Sequence, residues 1–253
     1  MSHARYDVPV ALTIAGSDSG GGAGIQADLR TFQELGVFGT SVVTAVTAQN
    51  SIAVRAWEPM SAALVAQQLD AVAEDLAPRA VKTGMLGTAN VVEVVARGLA
   101  RHRRPNSVLD PVIVSTSGTR LLHPDAEQLL VKRLLPLADL VTPNMDEAEA
   151  LTGTHVRTPD DMEAAGRALI RAGAKAALVK GGHLDRELLV DVLVTPKSVK
   201  RFEHRKIAGP PLHGTGCVLS AAIAAGLAKD VGLEQAVENA IELVQRRIAT
   251  ARG

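Results

Sequence analysis

A histidine, a hydroxyl, two glycines and a cysteine stand together as His213-Gly214-Thr215-Gly216-Cys217, directly before a long apolar segment. That segment predicts a buried helix over residues 216–228. The first helical turn carries N–H groups without intrahelical acceptors, and glycines let a ligand approach them, so we expect an anion site. The helix dipole should lower the pKa of the Cys217 thiol, and the same amides would stabilise developing negative charge. The alternative for Cys217 is a small buried packing residue.

A second glycine loop, residues 16–24, lies between a predicted strand and a predicted helix. Residues 22–27 match the relaxed dinucleotide pattern G-x-G-x-x-A, but the zone about twenty residues on, where an acid should bind the ribose, is Val-Val-Thr-Ala-Val. No Gly-Lys dipeptide occurs, which excludes a Walker A loop. A dinucleotide oxidoreductase therefore remains only an alternative.

Several charged or amide side chains follow predicted strands, and each has two interpretations. Asn144 and Glu147 have the spacing of a helix N-cap and its third residue, or else Glu147 holds a hydrated Mg²⁺ near phosphates. Asp110 is a strand-end acid fixed by Pro111, or a carboxylate facing the same metal and phosphates. Lys180 reaches the surface, or contacts a phosphate as a point charge.

Asp28 and Gln49 lie in the first third of the chain and also have two interpretations. One places them on a helix surface and in a loop. The other places them around a small polar ligand bound beside the glycine loop. A further stretch, residues 115–119, is small and polar enough to act as a flap.

Alternation of apolar strands and amphipathic helices positions these residues. It predicts a mostly parallel sheet in a three-layer α/β/α sandwich, with ligands at the carboxyl ends of the strands and an antiparallel hairpin at one edge. We expect a single domain over residues 1–253. Predicted strands cover residues 9–15, 38–46, 54–57, 80–83, 107–109, 140–142, 176–180, 188–195 and 198–205. Predicted helices cover residues 25–35, 61–76, 90–100, 124–135, 144–151, 160–172, 216–228 and 233–249.

Composition narrows the function further. The 253 residues carry zero formal net charge, with one Trp, one Tyr and three Phe, which argues against nucleic acid and anionic membranes as partners. A lone cysteine, an N-terminal stretch without an apolar signal region and the lack of a long uninterrupted apolar run predict a cytoplasmic protein.

Seven segments taken in order closely resemble the hydroxymethylpyrimidine/phosphomethylpyrimidine kinases of the ribokinase-like superfamily. They are residues 15–29, 48–50, 81–86, 109–112, 142–144, 179–183 and 213–217. The resemblance implies a ribokinase-like fold and ATP- and Mg²⁺-dependent phosphorylation of 4-amino-5-hydroxymethyl-2-methylpyrimidine, then of its monophosphate, in thiamine biosynthesis. It also implies a homodimer, which the apolar strands at residues 38–46 and 54–57 would support.

The resemblance also assigns roles to individual residues. Gly214, Thr215 and Gly216 would form the anion hole, with Cys217 as the base. The other expected sites are, for the pyrimidine, Asp28, Gln49, Met85, Gly16 and Val112; for the nucleotide, Lys180, Asn144, His213 and Thr215; and for the metal, Glu147 and Asp110. The chain departs from the family pattern at Thr116, where a lysine is expected, and at residues 210–212, which read Pro-Pro-Leu.

Two other functions stay open. Pyridoxal kinase shares the fold and the cysteine-containing loop, although the Gln49 amide suits an aminopyrimidine edge because it can both donate and accept. A non-catalytic vitamin-precursor binding protein is the alternative outside the enzymes.

Overall fold

The computed structural model describes residues 7–102, 106–115, 117–182, 188–207, 209 and 213–251. Thr116 of the candidate flap, His183 and residues 210–212 lie outside these ranges. Within them, nine strands form one sheet in the order β3-β2-β1-β4-β5-β6-β7-β8-β9. The strands are β1 Val10–Asp18, β2 Phe38–Gln49, β3 Val54–Pro59, β4 Ala80–Thr83, β5 Ser107–Leu109, β6 Leu140–Val141, β7 Ala177–Val179, β8 Leu188–Val194 and β9 Val199–Arg205.

Helices cover both faces of this sheet, which confirms the predicted three-layer α/β sandwich. Helices α1, α7 and α8 pack on one face, and α2, α3, α4 and α6 on the other. The helices are α1 Gly24–Glu34, α2 Ala62–Leu76, α3 Ala89–His102, α4 Pro124–Leu129, α5 Met145–Thr152, α6 Pro159–Arg171, α7 Thr215–Ala228 and α8 Leu233–Thr250. No helix among the described residues is both long and apolar enough to cross a membrane.

The first strand shows how the sequence builds two apolar cores at once. Successive side chains of a strand point to opposite faces, so Ala11 of β1 joins the core under α7 while Leu12 and Ile14 join the core under α2 and α3. A strand buried on both faces must be apolar almost throughout, as this segment is.

The order of the strands in the sheet shows where a ligand-binding crevice lies. Strand β2 lies on one side of β1 and β4 on the other, both parallel to β1, so the direction in which strands are added reverses beside β1. In open α/β sheets, ligands bind in the crevice that this reversal opens at the carboxyl ends of the strands. Strand β1 extends to Asp18, so residues 19–24 of the glycine loop follow β1, and Gly84 follows β4 at that crevice.

The predicted edge hairpin is confirmed, since β8 and β9 are antiparallel to each other and β8 is antiparallel to β7. The structure adds a second antiparallel pair at the opposite edge, β2 with β3. Both strands were predicted, but not their pairing. The Asn50 side chain accepts hydrogen bonds from the N–H groups of Ile52 and Ala53, which closes the tight turn between them.

One predicted helix differs from the structure. Residues 124–135 were expected to form a single α-helix, but α4 ends at Leu129 and is followed by a π-helical turn at Leu130–Leu134 and a 3₁₀ turn at Leu135–Leu137. Pro136 explains this, because it lacks an N–H group and its ring clashes with the carbonyl four residues earlier.

Candidate active site

A cleft of about 360 Å³ runs along the carboxyl ends of the strands. This volume lies within the range of small-molecule sites. Of the fourteen predicted site residues, the structure brings thirteen to its wall: Gly16, Gln49, Met85, Asp110, Val112, Asn144, Glu147, Lys180, His213, Gly214, Thr215, Gly216 and Cys217. Asp28 is the predicted site residue that does not reach the wall.

The two glycine-rich loops touch each other at the centre of this cleft. Gly214 precedes α7 with a φ of 84°, a left-handed conformation that favours glycine, and a Cβ there would overlap the carbonyl oxygen of Gly22. The N-cap residue of helix α7 makes no side-chain hydrogen bond, and the first residues of the helix, Thr215 to Cys217, line the cleft. The predicted buried helix is confirmed, since its sides are packed in the core.

Asp18 fixes the first loop and joins it to the second. Its carboxylate accepts hydrogen bonds from the N–H groups of Gly20 (2.8 Å) and Ala23 (2.8 Å) and lies 3.2 Å from His213 Nε2. Burial would raise the pKa of Asp18, but these hydrogen bonds and the histidine hold it below its usual value. Sequence reasoning missed this residue, although an acid beside a glycine loop was a usable signal.

His213 also contacts the predicted pyrimidine-binding amide. Its Nε2 atom lies 2.6 Å from Gln49 Nε2, and the Gln49 carbonyl accepts from the Thr47 hydroxyl at 3.2 Å. His213 was expected on the nucleotide side. The structure instead brings its ring to Gln49 and Asp18, on the side of the first glycine loop.

The predicted lowering of the Cys217 pKa is wrong. Burial is the largest effect and raises the pKa of the thiol to about 11, and the charges of Asp28 and Asp110 act in the same direction. The charge of Lys82 and a backbone hydrogen bond from Gly24 oppose this rise without reversing it. The sequence showed the helix start but not the two carboxylates beneath it.

Lys82 is the most important residue that the sequence reasoning missed. It lines the cleft, yet its side chain is fully buried and its Nζ lies 2.9 and 3.1 Å from the carboxylate oxygens of Asp28. Burial alone would lower the pKa of Lys82, but the charges of Asp28, Cys217 and Asp110 raise it above its usual value. The signal available was a lysine within the short predicted strand at residues 80–83, where a charged side chain is unusual.

Asp28 therefore has a different position from the one expected. It is fully buried on α1, where it binds Lys82 and accepts a 2.6 Å hydrogen bond from the Thr13 hydroxyl. The prediction that it contacts a substrate is not supported by this placement. Its contacts are those of a residue that positions Lys82.

A second cation, the partly buried Lys180, also lines the cleft. Lys180 Nζ lies 3.3 Å from an Asp110 oxygen, and the other Asp110 oxygen accepts a 3.0 Å hydrogen bond from Ser220 on α7. Burial would lower the pKa of Lys180, but Asp110 and Glu147 raise it. Lys180 thus stays charged beside the N-terminus of α7, where an anion would be attracted by both.

Glu147 has the predicted capping role in addition to a place in the cleft wall. Its carboxylate accepts from the Asn144 N–H, and the Asn144 side chain accepts from the Glu147 N–H, both at 2.8 Å. Burial, with help from the charge of Asp110, raises the pKa of Glu147 to about 7 against the opposing effect of Lys180. A cation bound between the two carboxylates would favour their ionised forms.

Glu147 and Asp110 suit a cation that keeps most of its ligands as water and substrate phosphates. No group of three or more His, Cys, Asp or Glu side chains able to hold a metal occurs in the part of the chain that the structure describes. Mg²⁺ fits such a donor set, because kinases bind it through one or two carboxylates together with water and substrate phosphates.

Two solved structures share this fold closely. Phosphomethylpyrimidine kinase from Clostridium difficile 630 has a TM-score of 0.85 and 42% identity, covering 95% of this chain and 99% of that chain. The ADP complex of Bacillus subtilis pyridoxal kinase has a TM-score of 0.86 and 38% identity, covering 93% of this chain and 90% of that chain. The fold and its cleft thus define a kinase of the ribokinase-like class.

Sequence comparison identifies the family within that class. The phosphomethylpyrimidine kinase family model matches residues 18–252, so the chain belongs to this family. Hydroxymethylpyrimidine/phosphomethylpyrimidine kinase of Rhizobium meliloti (strain 1021) is 49% identical over 96% of this chain and 91% of its own length. The thiamine biosynthesis bifunctional protein ThiED of Geobacter sulfurreducens is 45% identical over 95% of this chain and 49% of its own length.

Family membership excludes two of the open alternatives, because a kinase is neither a dinucleotide oxidoreductase nor a non-catalytic binding protein. It implies ATP as the phosphate donor, a divalent metal ion and a small-molecule acceptor.

Proposed function

We propose that the protein transfers the γ-phosphoryl group of ATP to 4-amino-5-hydroxymethyl-2-methylpyrimidine and then to its monophosphate, which supplies the pyrimidine diphosphate for thiamine biosynthesis. The observation that carries this is that one cleft is lined by Gln49 and Met85, by Lys180, and by Cys217 in the first turn of α7. Family membership and the names of the relatives support the same substrate.

In the first reaction, the hydroxymethyl oxygen attacks the γ-phosphorus and ADP leaves. The Cys217 side chain acts in its thiolate form, which takes the proton of the hydroxyl and becomes a thiol as the new O–P bond forms and the bond to ADP breaks. The N–H groups at residues 214–216 and the Lys180 ammonium stabilise the negative charge of the transferring group. Gln49, Met85, Gly16 and Val112 hold the pyrimidine so that its hydroxymethyl group faces the Cys217 sulfur.

Lys82 has an electrostatic role in this scheme. It is a fixed positive charge beneath Cys217, and it opposes the cost of placing a thiolate near Asp28 and Asp110. Asp28 holds the ammonium of Lys82 in place.

Glu147 and Asp110 would hold the divalent ion, which we take to be Mg²⁺, beside the phosphates. When bound, the ion supplies positive charge that neutralises the phosphate oxygens. Asn144 caps α5 and so keeps Glu147 in position.

Mass spectrometry of the products tests this function. With ATP, Mg²⁺ and hydroxymethylpyrimidine, we expect the monophosphate to appear first and the diphosphate later, and chelation of Mg²⁺ should abolish both. Absence of either product under conditions where the protein binds ATP would contradict the proposal.

Pyridoxal kinase remains the second candidate, because the B. subtilis pyridoxal kinase matches this fold as well as the C. difficile enzyme does. Gln49 favours the aminopyrimidine, whose ring nitrogen and amino group can pair with both the amide NH₂ and the carbonyl.

We also propose a cytoplasmic homodimer. Val46 of β2 is half exposed, and the edge strand β3 beside it offers further area for a second subunit. Sedimentation should give the dimer mass at micromolar protein, and a monomer throughout that range would refute the dimer.

A further inference from the structure

Three side chains on the Lys180 side of the cleft form a hydrogen-bonded chain that no step above uses. Asp191 of β8 is buried and lies 3.1 Å from His204 Nε2 on β9, and His204 Nδ1 lies 3.0 Å from Gln245 Nε2 on α8. All three line the cleft. The second Asp191 oxygen accepts from the Gly181 N–H at 2.8 Å, which ties the chain to the loop after Lys180.

The order of donors along this chain fixes the orientation of the Gln245 amide. A carboxylate only accepts hydrogen bonds, so His204 must carry its proton on Nε2 and donate it to Asp191. The nitrogen of the Gln245 amide, which can only donate, lies 3.0 Å from Nδ1, so Nδ1 is the acceptor of this pair. Among the residues that the structure describes, no other group bonds to the Gln245 carbonyl oxygen, which can therefore accept a hydrogen bond from a ligand in the cleft.

The surroundings of Gln245 suit a flat heteroaromatic ring. Ile241, Val244 and Ile248 lie on one face of α8 because they are three and four residues apart, and all three line the cleft. Leu189 of β8 and Leu219 of α7 line it as well. Apolar side chains with a few well-placed polar groups are typical of sites that bind a small organic ring.

We propose that Gln245 is the residue that selects the nucleobase of the phosphate donor, with its carbonyl accepting a hydrogen bond from the exocyclic amino group of a 6-aminopurine. A 6-oxopurine would place a second acceptor against this carbonyl and is disfavoured. Asp191 and His204 are positioning residues, because they act only by holding the amide in this orientation. The assignment rests on the proposed use of ATP but not on the identity of the acceptor.

Calorimetric titration with ADP and GDP tests the assignment without an acceptor, so its outcome is separate from that of the pyrimidine assay. We expect the unaltered protein to bind ADP at least about tenfold more tightly than GDP. ADP makes one well-formed hydrogen bond to the Gln245 carbonyl, whereas GDP leaves that carbonyl unpaired. Gln245→Met, of similar length, should weaken ADP binding about tenfold and leave GDP within about twofold. Gln235→Met is the matched control, because Gln235 lies on the same helix and bonds only to Asn239 among the described residues.

Two variants of His204 test the positioning role by the same ADP:GDP ratio. His204→Phe removes the acceptor for Gln245 and should lower the ratio. His204→Gln can accept from Gln245 and donate to Asp191, so it should restore most of the preference. A ratio in Gln245→Met within about twofold of that of the unaltered protein would overturn the proposal, and so would a His204→Phe ratio that stays unchanged.

Discussion

Replacing Cys217 with serine should lower kcat for phosphorylation of the hydroxymethyl group by about 10²- to 10⁴-fold, the usual contribution of a general base. Serine keeps the shape and the hydrogen bonding of the side chain but is a far poorer proton acceptor. The Kd of the pyrimidine should change little, since the residues that bind the ring are untouched. Steady-state kinetics with saturating ATP and calorimetric titration of the pyrimidine measure the two quantities.

The second phosphorylation is an internal control for this variant. Its acceptor is a phosphate monoester whose second pKa is about 6, so the attacking oxygen is already ionised at neutral pH and needs no base. Cys217→Ser should therefore impair the first reaction much more than the second. Equal losses in both reactions would mean that the thiol acts by packing, and the N–H groups at residues 214–216 would remain as the catalytic groups.

The pH profile gives a further signature of the same step. Because burial raises the pKa of Cys217 to about 11, only a small fraction of the free enzyme is thiolate near neutral pH. The value of kcat/KM for the hydroxymethyl substrate should rise with pH, approaching about tenfold per unit between about pH 7 and 9. This slope should be absent from the second reaction and from Cys217→Ser.

Removing the buried cation should have the largest effect on stability. Lys82→Met leaves the Asp28 carboxylate buried without a partner charge, so we expect the free energy of unfolding to fall by about 3–5 kcal/mol. Denaturant unfolding measures this loss. Lys175→Met is the matched control, because Lys175 forms an exposed ion pair with Asp139 and its removal should cost little.

The pH dependence of that loss identifies its cause. Burial already raises the pKa of Asp28, and Lys82 is the main charge that opposes the rise. In Lys82→Met the pKa of Asp28 should rise further. An acid whose pKa is raised in the folded state makes the protein less stable as the pH increases from the unfolded-state pKa to the folded-state pKa. The deficit should be smaller at about pH 5 than at about pH 8, and Asp28→Leu combined with Lys82→Met should recover much of it. A deficit independent of pH would point to lost packing instead.

Local sequence signals were enough to predict most of the architecture. Strand β4 and strand β5 begin and end at the predicted residues, and the Asn144 cap marks the start of α5. These features depend on neighbours a few residues away, through apolar periodicity and capping spacing. The polar residues after each strand could be assigned to one edge for the same reason, because parallel strands end on the same side.

Features that depend on contacts between distant segments could not be predicted. The pKa of Cys217 depends on Asp28, Lys82 and Asp110, which come from three separate elements, and the helix dipole visible in the sequence is outweighed by burial. Asp28 looked like a ligand contact because only its position after the glycine loop was visible, whereas its partner Lys82 is 54 residues away. The Asp191–His204–Gln245 chain likewise joins β8, β9 and α8.

A direct comparison of kcat/KM for hydroxymethylpyrimidine and pyridoxal tests whether the acceptor is the aminopyrimidine. Both substrates are assayed with the same enzyme, ATP and Mg²⁺ by coupling ADP release to NADH oxidation. We predict a clear preference for hydroxymethylpyrimidine, which Gln49→Leu should reduce because the leucine can neither donate to nor accept from the pyrimidine edge. A higher kcat/KM for pyridoxal in the unaltered enzyme would contradict the account.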